Sequence, residues 1–232
     1  ASDAPAAAPL FAADPTRAPS FGPLRRDGIT DAGLAHFQSF YPGEPVTKED
    51  LFYYVYGLLH SPDYRARYAD NLGKELPRIP RVKSAADFRA FAAAGRALGD
   101  LHVGYEAVPE HPARVEGPSR PTPEQLRVEK MRFGKGKDKT VIHYNAFFTV
   151  RDIPLDAYDY VVNGKPAIEW VMERQAVTTD KASGIVKDAN AWAVETVGDP
   201  RYPLSLLLRV ITVSLETNRL VASLPPLVLE GE

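Results

Sequence analysis

The sequence predicts an α+β fold, with a helical N-terminal half packed on a mixed C-terminal half that holds a small antiparallel sheet. Three observations predict it. Apolar residues recur at helical spacing up to about residue 108. A proline-rich stretch then interrupts the chain, and beyond it polar and apolar residues alternate from Arg127 to Phe133.

Residues 1–28 are rich in Ala and Pro and are expected to form a disordered linker, without the basic start and apolar core of a signal peptide. Residues 29–108 are expected to form a helical subdomain. Thr30 can cap a first helix carrying Leu34, Phe37 and Phe40, closed by Pro42-Gly43. Thr47 and Asp50 resemble a capping box opening a second helix with Leu51, Phe52, Val55, Leu58 and Leu59. Ser61-Pro62 supplies a cap and a first-turn proline for a third, through Tyr64, Tyr68 and Leu72. Ser84 and Asp87 start a fourth, whose broad face holds Phe88, Phe91, Leu98, Leu101 and His102.

Residues 109–123 read as a proline-rich connection, and residues 124–232 as a mixed α/β subdomain completing one domain. There, 127–133 is expected to be a strand, Gly134 to Asp138 a turn, and Thr140 to Tyr144 the partner strand. Phe147 to Val150 and Tyr158 to Val162 are further strand candidates. Ala167 to Glu173 reads as a short helix, Thr178 to Asn190 as turn-rich, and a long helix begins near Pro203.

The 232-residue chain is 44% hydrophobic and 25% charged, ordinary for a globular domain, and no apolar run approaches the roughly 20 residues that span a bilayer. Cysteine is absent, which removes disulfides and thiolate chemistry and fits a reducing cytoplasm. The formal net charge of −2 is unusual for a nucleic-acid binder, so such a function would require a basic face hidden within a near-neutral total.

Catalytic signatures are missing. There is no Gly-x-x-x-x-Gly-Lys-Ser/Thr loop, and no carboxylate followed two residues later by Lys. Leu224-Pro225-Pro226-Leu227 lacks the polar and aromatic flanks of an amino-methyltransferase step and reads as a tail turn. The five histidines, His36, His60, His102, His111 and His143, show no zinc-helix spacing; His60 and His102 read as hydrogen-bonded core residues. The expectation is a non-catalytic chain without a metal site.

Four stretches in order resemble the C-terminal specificity domain of type ISP restriction–modification enzymes, across roughly residues 29–226. They are the run from Leu51 to Arg65; Leu76-Pro77-Arg78-Ile79-Pro80 with the Leu98 to Glu106 segment; Ile168-Glu169-Trp170-Val171 running into Thr179 to Ile185; and Asp188 to Trp192 with Pro200-Arg201-Tyr202. The resemblance implies a target-recognition domain that binds sequence-specific double-stranded DNA and presents an adenine to a methyltransferase. Its partners would be the methyltransferase, helicase-like and nuclease domains of a parent polypeptide. S-adenosylmethionine, ATP and magnesium would belong to those domains, with no cofactor in this chain. Under the resemblance, the chain would start after the catalytic domains, as an excised domain or as a gene product working with separate subunits.

Under that reading, cationic side chains hold phosphates and read base edges. The expected hairpin offers Arg127, Lys130, Arg132, Lys135, Lys137 and Lys139; its alternative role is a solvated edge whose lysines discourage aggregation. The turn-rich segment adds Arg174, Lys181 and Lys187, with Asp180 and Asp188 read as turn-closing residues. Arg78, between prolines, clamps a phosphate or pairs with Glu75. Tyr53, Tyr54 and Tyr56 read as core with hydroxyls at the rim, and Trp170 and Trp192 as packing. A second functional reading is a docking domain for a partner methyltransferase subunit, with the N-terminal aromatic helices as its surface.

Overall fold

The computed structural model describes residues 27–231, so most of the expected linker over 1–28 lies outside the described residues. The fold is α+β. The N-terminal half contains α1 (Asp31–Gln38), α2 (Lys48–His60), α3 (Pro62–Arg67), α4 (Ala69–Leu72) and α5 (Ala85–Val103). Helices α1, α2, α3 and α5 each start where a short polar side chain meets a free backbone amide. Thr30 accepts from Gly33, Ser61 from Tyr64 and Ser84 from Asp87, while Thr47 and Asp50 form a reciprocal capping box. The first helix stops at Gln38, short of Pro42-Gly43.

Helices α2 and α5 cross at two glycines. A Cβ on Gly95 would run into the Tyr53 carbonyl and approach the Gly57 amide nitrogen to 2.7 Å, so backbone packs on backbone there. Around this crossing lies an aromatic core of Phe37, Tyr41, Tyr54, Tyr64, Phe88 and Phe91. The hydroxyls of Tyr54 and Tyr64 leave it by donating to the Pro80 and Arg78 carbonyls at 2.7 Å each.

The second half adds β1 (Arg114–Glu116), α6 (Pro123–Leu126), β2 (Arg132–Gly134), β3 (Asp138–His143) and β4 (Thr149–Arg151). These strands form an antiparallel sheet in the order β1-β4-β3-β2. Register sets its two faces. Phe133, Ile142, Val150 and Val115 align toward a second core, whereas Arg132, His143, Thr149 and Glu116 align on the outer face.

Two strand expectations fail. Residues 127–131 are not a strand, because the Val128 backbone is paired with the Asn190 side chain rather than with a neighbouring strand. Tyr158 to Val162 is not one strand either. A 3-10 turn over Leu155–Tyr158 precedes a two-strand ribbon of β5 (Val161–Val162) and β6 (Lys165–Pro166). Asn163 and Gly164 close that ribbon with φ of 49° and 78°, the left-handed pair favoured in tight hairpins.

The chain continues through α7 (Ala167–Arg174), β7 (Thr178–Thr179), β8 (Val186–Lys187), α8 (Ala189–Trp192) and α9 (Tyr202–Ala222). The segment read as turn-rich is thus a short β7–β8 hairpin. Helix α9 buries Leu204, Leu207, Leu208, Val210 and Ile211 in the second core and packs against both α5 and α7. The chain after it returns to the first core, where Leu229 bridges Val82 and Leu227 donates its amide to Asp63. Among the described residues, no helix is long and apolar enough to cross a membrane.

Candidate nucleic-acid interface

The segment from Arg127 to Arg132 is held between three distant pieces of chain. Arg127 donates from Nη2 to Asp188 Oδ2 at 2.7 Å. Val128 donates its amide to Asn190 Oδ1 at 2.8 Å, and Asn190 Nδ2 returns a hydrogen bond to the Val128 carbonyl at 2.7 Å. The Glu129 carbonyl accepts from the Val177 amide at 2.9 Å. Residues 177 and 188 are the two feet of the β7–β8 hairpin, so the hairpin is anchored beside the basic segment at both ends.

The hairpin keeps its shape through Asp180, whose Oδ1 accepts from the Ala182 amide and from the amide and hydroxyl of Ser183, next to Gly184 at φ 70°. Those bonds, Ser183 first, hold the Asp180 carboxyl below the usual range. At Asp188 burial opposes ionisation, but hydrogen bonds from Asn190 and Arg127 outweigh it and again lower the pKa. Both aspartates therefore act as structural anions, as their turn chemistry suggests.

A third piece is the loop between β3 and β4. Asn145 Nδ2 donates to the carbonyls of Gln125 and Arg127 at 2.7 and 2.9 Å, while its Oδ1 accepts from the amides of Phe147 and Phe148. One side chain thus fixes the loop to the start of the basic segment. Together these pieces line an open depression of about 450 Å³, with Arg127, Lys130, Arg132, His143, Asn145 and Phe147 among its walls. Glu124 and Glu129 also face it, so its charge is mixed but favours cations.

The ten cations named from sequence separate in space. Arg127, Lys130 and Arg132 share this depression, and Lys181 and Lys187 are exposed on the adjoining hairpin. Lys130, Arg132, Lys181 and Lys187 have no acidic partner among the described residues. Lys135 and Lys137 are exposed in the 3-10 turn at the far end of β2, where Lys137 has φ 64°. Lys139 is already engaged: it pairs with Glu169 at 2.8 Å and lies near the Phe133 and Tyr158 rings. Arg174 sits 5.3 Å from the Trp170 ring centroid, on a different cavity that also touches His102 and Tyr160. Arg78 pairs with Glu75 at 3.3 Å beside the first core. A single surface made by all ten is therefore not what the fold builds. Three of them share one depression, and two more lie on the hairpin whose feet are joined to the 127–132 segment.

The aromatic N-terminal helices are mostly a core rather than a contact face, with Tyr54, Tyr64, Phe88 and Phe91 buried and Phe52 exposed. His102 bridges Tyr56 Oη at 2.7 Å and Thr217 Oγ1 at 2.9 Å, and His60 Nδ1 meets the Tyr56 carbonyl at 2.8 Å. Burial depresses both, His102 to about 4, so each is neutral near pH 7. Among the described residues, no cluster of three metal-ligating side chains occurs.

Comparison with known proteins gives concordant results. The family model described as "Type ISP C-terminal specificity domain" matches residues 2–206. A nuclease-deletion mutant of the Type ISP restriction-modification enzyme LlaGI, solved in complex with a DNA substrate mimic, is 44% identical with a TM-score of 0.72, covering 81% of this chain and 17% of that one. The ATP-dependent Type ISP restriction-modification enzyme LlaBIII bound to DNA is 40% identical with a TM-score of 0.74, covering 84% of this chain and 12% of that one. A DrdV–DNA complex is 36% identical with a TM-score of 0.68, covering 84% and 20%. No curated protein matches the chain. The chain spans between 12% and 20% of the length of these solved structures. By the match over most of its length, this chain belongs to the Type ISP C-terminal specificity domain family.

Proposed function

We propose that this chain reads a short duplex DNA sequence on behalf of a restriction–modification enzyme and performs no chemistry itself. The observation that carries the reading is the joining of the 127–132 segment, whose Lys130 and Arg132 line one depression without acidic partners, to the β7–β8 hairpin that exposes Lys181 and Lys187. Phosphate contacts fix register and base-edge contacts specify sequence, and this surface has both kinds of side chain. Neighbouring domains would then methylate an adenine and cleave the duplex. The S-adenosylmethionine, ATP and magnesium those steps use would be held outside this chain.

The similarity to Type ISP enzymes solved with DNA supports this reading. Because the formal net charge is −2, the basic surface it needs has to be local, and Lys130 and Arg132 on one depression supply one. Selection of randomised duplexes by the full chain at modest salt tests it. Enrichment of one motif is expected; recovery of an unenriched pool would remove sequence reading from this domain.

A further inference from the structure

The β3–β4 loop contains two consecutive phenylalanines with opposite fates. Phe148 is buried at 5% exposure, its ring edge toward Tyr144, and it fills the space a Cβ would need at Gly117. Phe147 is 51% exposed on the wall of the basic depression. An exposed aromatic alone would mean little. Here, however, the backbone under it is held on both sides: Asn145 Oδ1 accepts from the Phe147 amide at 2.8 Å and from the Phe148 amide at 2.7 Å, while Asn145 Nδ2 grips the Gln125 and Arg127 carbonyls. The loop is thus pre-organised to present an apolar ring to solvent. Ala146 beside it is exposed and small, and leaves room for close approach.

The ring's neighbours narrow what it could meet. Lys130 and Arg132 supply hydrogen-bond donors without acidic partners, and His143, bonded through Nδ1 to Thr149 Oγ1 at 3.2 Å, adds a polar edge. A surface that sets donors, and the acceptor carboxylates of Glu124 and Glu129, around one apolar ring complements the major-groove edge of a base pair, which offers both acceptors and donors and whose only apolar group is the thymine 5-methyl. An intercalating wedge is a poorer match, because the ring lines the wall of a depression rather than crowning a projection.

Resting on the DNA-reading function above, we propose that Phe147 is a specificity-determining residue whose ring contacts the 5-methyl group of a thymine in the recognised site. Asn145 acts as its positioning residue. The ring contributes by excluding water from the methyl group, so the contact distinguishes thymine from uracil although their hydrogen-bonding edges are alike.

The test uses the full chain and the duplex motif it selects, with each thymine replaced in turn by uracil. One replacement is expected to weaken binding about four-fold, the worth of one buried methyl group. In F147A that replacement should have no further effect, while the other thymines behave as in the wild type. N145A should show the same loss of discrimination, and circular dichroism of both variants checks that they fold. If F147A binds the selected duplex as wild type does, or retains every uracil penalty, the inference is overturned while sequence reading stands. If a base analogue such as 2-aminopurine brightens on wild-type binding and no uracil penalty appears, the ring is a wedge and the inference is equally overturned. Absence of any selected motif would instead overturn the DNA-reading function on which the inference rests.

Discussion

Asn190 and Val128, 62 residues apart in sequence, exchange two hydrogen bonds: Val128 N–H to Asn190 Oδ1 at 2.8 Å, and Asn190 Nδ2–H to the Val128 carbonyl at 2.7 Å. Both residues are buried. The exchange does for Val128 what a neighbouring strand would otherwise do, and it fixes where Arg127 and Lys130 project.

Asn190→Ala is therefore expected to destabilise the chain by about 2–4 kcal/mol, since both Val128 backbone groups lose their partner in a buried site. Denaturant unfolding measures this. The same variant should lose DNA affinity at concentrations of denaturant where it is still folded, because the basic segment and the hairpin are no longer joined. Wild-type unfolding would show that the exchange adds no stability.

The crossing of α2 and α5 should be intolerant of a single methyl group. Gly95→Ala places a Cβ into the Tyr53 carbonyl and against the Gly57 amide, and backbone cannot move aside as a side chain can. A loss of about 3 kcal/mol or more is expected by thermal or chemical unfolding. Gly73→Ala, which meets nothing within 4 Å, is the control and should be near neutral.

His102 gives the fold a defined acid response. Its pKa in the fold is lowered to about 4, first by burial and then by the neighbouring His60, against an ordinary 6.5. The unfolded chain therefore binds more protons between these values, so stability is fully present above about pH 6.5 and declines as pH falls toward 4. The site is partly buried, and after allowance for solvent screening the decline from this group is about 1 kcal/mol. In His102→Gln the slope of unfolding free energy between pH 6.5 and 4 should be shallower. An unchanged slope would show that His102 titrates normally in the fold.

What was legible in the sequence was chiefly local. Caps at Thr30, Thr47, Ser61 and Ser84 lie within three residues of the amides they satisfy, so the N-terminal helices could be placed from spacing alone. The turn chemistry of Asp180 and Asp188 was equally local. The basic surface was not. Alternation from Arg127 to Phe133 mimics a strand, but the partner of Val128 is a side chain on α8. Lys139 is equivalent to Lys137 in sequence, but Glu169, 30 residues on, engages its ammonium. Phe147 looked like strand interior, and the one hint to its exposure was the short polar Asn145 two residues before it, a residue type that caps turns.

Cations on the depression should matter more to DNA than cations remote from it. Lys130→Glu is expected to weaken duplex binding by at least ten-fold at modest salt, whereas Arg78→Glu, beside the first core, should change it little. Comparable losses from both would mean that binding is diffuse and not centred on the 127–132 segment.

The most direct measurement is the salt dependence of equilibrium binding to the selected duplex, for the wild-type chain and for a Lys130→Gln, Arg132→Gln, Lys187→Gln triple variant. Each phosphate contact removed should reduce the slope of log affinity against log salt by about 0.9. The account predicts a shallower slope by about two to three units and loss of motif preference in the triple variant. An unchanged slope with motif preference intact would contradict it.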